Sequence, residues 1–92
     1  MLRITISKQG DSASIRLEGK LIGVWVEELR QCWRETIAQS ERRKTVVDLE
    51  AVSFVDAPGQ KLLKEMHAAG TKLVGQGVLI TYLLNQIEGY AS

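Results

Sequence analysis

Hydrophobic and polar positions along this chain follow several rhythms, each predicting a different element. Leu2, Ile4 and Ile6 alternate with Arg3, Thr5 and Ser7, a period of two that marks a half-buried strand. Ala13, Ile15 and Leu17 repeat the pattern against Ser14, Arg16 and Glu18. The cluster Lys8-Gln9-Gly10-Asp11-Ser12 between them has turn chemistry, so the two runs predict an antiparallel hairpin with a long turn. Gly19 is expected to end the second strand, with Leu21-Ile22 leading over the sheet edge. From Val24 to Ser40 the rhythm lengthens. Trp25 or Val26, Leu29, Cys32, Trp33, Thr36 and Ile37 recur at helical steps, and Glu27, Glu28, Arg30, Arg34 and Glu35 fill the opposite face. Glu27 and Glu28 fall near the helix start, where the positive end of its dipole favours them.

Lys44 to Leu49 reads as a strand, and the adjacent Val46 and Val47 suit one covered on both faces, as in a parallel or mixed sheet. It is expected to end at Asp48-Leu49, with a short link running to Phe54-Val55. Pro58 then opens a second helix, because a first-turn residue has no intrahelical N–H bond to lose. Asp56 is its expected N-cap, Leu62, Leu63 and Met66 its buried stripe, and Gly70 its end. Gln60, Lys61, Lys64 and Glu65 face water. Thr71 to Val74 is a short strand and Gly75-Gln76-Gly77 a turn. Val78 to Ile87 predicts a last helix with Leu79, Tyr82, Leu83 and Ile87 inward, although the run Val78–Leu83 also admits a strand. The order β-β-α-β-α-β-α implies a single α/β domain over residues 1–92, a mixed four-stranded sheet packed with about three helices.

Composition adds limits. A chain of 92 residues suits one domain with one modest core, here expected around Trp33, Val46, Val47, Leu49, Leu62, Leu63 and Met66. Twelve basic and eleven acidic residues leave a net charge of +1, too little field to collect nucleic acid or an anionic membrane. Arg42-Arg43-Lys44 reads as a solvated corner between helix and strand. The apolar stretch Val78 to Leu84 is far short of the roughly 20 residues a membrane helix needs. With no secretory h-region after Met1, a soluble cytoplasmic protein without membrane insertion is expected. The one cysteine, Cys32, has no partner for an internal disulfide and is expected to act as a small buried apolar residue.

The most informative segment is residues 46–59, Val-Val-Asp-Leu-Glu-Ala-Val-Ser-Phe-Val-Asp-Ala-Pro-Gly. It resembles the signature of STAS domains, the family of anti-sigma-factor antagonists and of the cytosolic tails of sulfate transporters. Gly19, Asp48-Leu49 and Gly70 agree with the family pattern, as does the element order. The family's turn reads Asp-Ser-Ser-Gly or Asp-Ser/Thr-x-Gly, and a hydroxyl there often takes phosphate. Here it reads Asp56-Ala57-Pro58-Gly59, which keeps the frame and leaves both hydroxyl positions empty. Ser53 lies in the expected link and is a poor substitute.

A helix N-terminus offers unpaired N–H groups and a positive dipole end, and phosphate added beside an acidic cap would repel an acidic partner face. The resemblance therefore implies a non-enzymatic protein-binding module that docks partners through Asp56, Ala57, Pro58, Gly59, Lys61 and Lys64. The implied partner is a kinase-like anti-sigma factor or related regulator. The alternative is the ATPase subunit of a lipid ABC transporter, with this chain as a STAS-like accessory subunit. The turn could equally be a well-capped helix start and nothing more; both readings can hold together.

Other chemistry is sparse. His67, the only histidine, falls at the edge of the second helix's stripe, away from any nucleophile or base at helical spacing. Asp48, Glu50 and Asp56 would need to converge to hold a cation, and a strand and a cap give no reason for that. Gly75-Gln76-Gly77 lacks the lysine and third glycine of a phosphate loop. No cofactor is expected. Trp25, Trp33, Tyr82 and Tyr90 are too dispersed to stack bases; Trp33 is expected in the core, and Trp25, expected to be partly exposed at the helix start, is a candidate anchor near the Asp56 turn.

Overall fold

A computed structural model of the chain describes residues 1–10, 12–39, 44–75 and 78–91. The strands are β1 (Leu2–Gln9), β2 (Ser12–Leu21), β3 (Lys44–Val55) and β4 (Lys72–Val74); the helices are α1 (Val24–Gln39), α2 (Ala57–Ala68) and α3 (Val78–Ala91). The sheet has the spatial order β1-β2-β3-β4, antiparallel between β1 and β2 and parallel across the other two pairs. This is the mixed four-stranded α/β arrangement expected, and Val78–Leu83 forms helix, not strand. The corner at Arg42-Arg43 and the turn at Gln76-Gly77 lie outside the described residues.

The helices lie over β2, β3 and β4, on one face of the sheet. On that face Leu2, Ala13, Ile15, Leu17, Leu21, Val47, Leu49, Val52, Val55 and Leu73 are buried against Leu29, Trp33, Leu62, Leu63 and Met66. The other face is mainly polar, and Arg3, Thr5, Ser7, Arg16, Lys20, Glu50 and Lys72 on it are exposed, together with the apolar Phe54 that pairs with Lys20. The expectation that β3 is covered on both faces therefore fails: Val47 is fully buried, but Val46 and Asp48 are only half-buried. Parallel pairing usually brings helices to both faces, but here α1, α2 and α3 share one side and the sheet keeps a solvated back.

Several boundaries also move. Gln9 pairs with Ser12, so the hairpin connection is only two residues long, with Gly10 at φ 57. Polar strand ends such as Lys8 and Ser12 look like turn residues in sequence but continue the ladder. Gly19 does not end β2. It lies within the strand at φ 107, and a Cβ there would fall on the Met1 carbonyl oxygen, which accepts from Lys20 N–H at 3.1 Å. Register irregularities between Arg16 and Glu18 and between Gly19 and Lys20 mark the same region as bulged. β3 likewise does not stop at Leu49 but runs twelve residues to Val55, absorbing the expected link. In α3, Leu83 and Ile87 are inward as expected, whereas Tyr82 is 60% exposed. In α1, Ile37 is on the exposed side and Cys32 is only half-buried.

Candidate functional site

The end of β3 delivers Val55 into the core and Asp56 to the start of α2. Asp56 has extended backbone, φ −82 and ψ 178, which suits an N-cap. Its Oδ1 accepts from the Gly59 N–H at 2.8 Å, satisfying one of the orphan donors of the first turn. Pro58 occupies that turn at no hydrogen-bonding cost.

The same carboxylate also reaches across the fold. Its Oδ2 accepts from the Gly23 N–H at 3.0 Å, in the turn just before α1. The backbone of Asp56 is held as well: its N–H donates to the Leu21 carbonyl at 3.1 Å, and its own carbonyl accepts from Gln60 at 2.9 Å. One residue thus joins the starts of α1 and α2. Gly23, at φ 56, makes the turn that presents its N–H.

Gly59 is buried within this clamp and is not part of an exposed rim. A Cβ on it would stand 2.8 Å from Val55 Cγ1 and 3.0 Å from both Asp56 Oδ1 and the Leu21 carbonyl oxygen. Ala57 and Pro58 are exposed as expected, and Asp56 is half-buried between them and the core. Lys61 and Lys64, three residues apart on α2, are both exposed. The arrangement therefore brings Asp56, Ala57 and Pro58 together at the surface, with Gly59 beneath and the lysines further along the helix.

Sequence reasoning missed the partners of Asp56. Gly23 carried the only usable sign, a glycine immediately before a helical pattern; Leu21 carried none, since it acts through its carbonyl. It also overlooked a more exposed neighbour, Val24, while the partial exposure expected of Trp25 holds. Trp25 is half-buried and packs on the core, while Val24, next to Gly23, is 75% exposed.

The remaining candidates stay apart. Asp48 Oδ1 accepts from the Glu50 N–H at 2.9 Å in a local turn of hydrogen bonding, and no metal-holding acidic or His/Cys group occurs among the described residues. His67 is half-buried near the end of α2. Ser53 lies in β3, exposed, with its hydroxyl donating to the Gly19 carbonyl at 3.3 Å. Trp33 is buried, and its indole N–H donates to Thr71 Oγ1 at 2.9 Å. Arg30 ties the helices together, donating to Glu65 at 2.7 Å and Glu27 at 3.2 Å; the Glu65 hydrogen bond chiefly holds its guanidinium above its ordinary range.

A family model for the STAS domain matches residues 3–81. An anti-sigma factor antagonist from Mycobacterium paratuberculosis superposes with a TM-score of 0.79 at 21% identity, covering 98% of this chain and 80% of that one. The anti-sigma factor antagonist SpoIIAA in its unphosphorylated form gives 0.64 at 20% identity, covering 88% and 80%. A Shewanella loihica protein described as having a SpoIIAA-like fold gives 0.63 at 13% identity, covering 99% and 79%. At these identities the superpositions speak for a shared fold.

Proposed function

The chain belongs to the STAS domain family, and from that premise we propose that it is a non-enzymatic protein-binding module of the anti-sigma-factor-antagonist kind. It works in the bacterial cytoplasm and docks a kinase-like regulator through the start of α2. The supporting observation is the exposed Ala57-Pro58 step, flanked by the two hydrogen bonds that the Asp56 carboxylate accepts from the Gly59 and Gly23 N–H groups. Small side chains there let a partner backbone come close, and a fixed backbone loses little entropy on docking. Val24 extends the apolar step towards α1. Lys61 and Lys64 lie beyond it and favour an acidic partner, mainly by raising the association rate.

Neither Ala57 nor Pro58 carries a hydroxyl, so the proposed module binds without a phosphorylation switch at this turn. Ser53 is no replacement, being part of β3 and bonded to Gly19. The test is affinity capture from the native host with wild type and Ala57→Trp. The tryptophan variant should lose the partner while its melting temperature stays within error of wild type. Retention of the same partner by a folded Ala57→Trp would refute docking at this turn. Recovery of a transporter ATPase in place of a kinase-like regulator would replace the signalling role by that of an accessory transport subunit.

A further inference from the structure

We draw no further inference here: the strongest candidate, the surface patch at the end of the sheet where Phe54 is exposed opposite Lys20 and Val24 is exposed at the start of α1, is bordered by exposed charges of both signs, Lys20 and Lys61 against Glu27 and Glu28, and nothing in the structure shows what covers it.

Discussion

Removing the Asp56 carboxylate in steps should separate its two tasks. Oδ1 caps α2 at 2.8 Å, and Oδ2 holds Gly23 at 3.0 Å in a more exposed position. Losing an N-cap costs about 1 kcal/mol, within a range of roughly 0.5–2. The second bond has a charged acceptor but is open to solvent, so about 0.5–1 kcal/mol is a fair figure for it. Asp56→Ala should therefore cost about 2 kcal/mol, a fall in Tm of roughly 8–16 °C for a chain of this size. Asp56→Asn keeps one oxygen for Gly59 but points an NH2 group at the Gly23 N–H, and should lose only the smaller part. Asp56→Ser keeps the cap, cannot reach Gly23, and should match the asparagine variant. Urea unfolding followed by the fluorescence of buried Trp33 measures all three. Equal losses for alanine and asparagine would mean that the cap contributes nothing. An asparagine variant as stable as wild type would mean that the link to Gly23 does not contribute.

Gly59→Ala should destabilise by roughly 1–2 kcal/mol in the same urea assay despite alanine's better helix propensity, because its Cβ meets the Leu21 carbonyl and Val55; a neutral result would show that the turn relaxes freely. Thr45→Val should stabilise by about 1 kcal/mol, since the Thr45 hydroxyl is buried and has no hydrogen-bond partner; a loss of stability would point to a hidden partner. Burial chiefly, then Glu28 and Glu35, pushes the Cys32 thiol up, so thiolate is scarcer near pH 8 than in an ordinary cysteine. Iodoacetamide should label it slowly, faster as pH rises, and faster again in Glu35→Gln; equal rates in the folded and urea-unfolded chain would contradict this.

What could be read from sequence was what depends on near neighbours. The periods of β1, β2 and α1, the Asp56 cap with Pro58 behind it, and the stripe Leu62, Leu63, Met66 are all local patterns, and each holds in the fold apart from the exposed Ile6 and Ile37 at the ends of their runs. What escaped depends on segments distant in sequence. The burial of Gly59 arises because Leu21 and Asp56 close over it, and the continuation of β3 to Val55 arises because Lys20 and Leu21 supply its partner. Between Glu50 and Ser53 the β3 sequence shows no clean alternation, since the pairing shifts register there. The half-exposure of Val46 required knowing that all three helices share one side. Tyr82 was misplaced because α3 offers few charges to mark its wet face.

The clamp at Asp56 divides the turn into positions under two kinds of selection. Asp56 and Gly59 are fixed by the architecture: one holds two helix starts, and the other has no room for a side chain. Ala57 and Pro58 lie between these posts with their side chains in solvent. Substitution at the two middle positions is therefore close to free in folding terms, provided the residue tolerates a first helical turn. Such a frame can exchange a modifiable hydroxyl for an inert surface, or one partner for another, without renegotiating stability. Divergence in what the turn recognises should thus run faster than divergence in the fold that carries it.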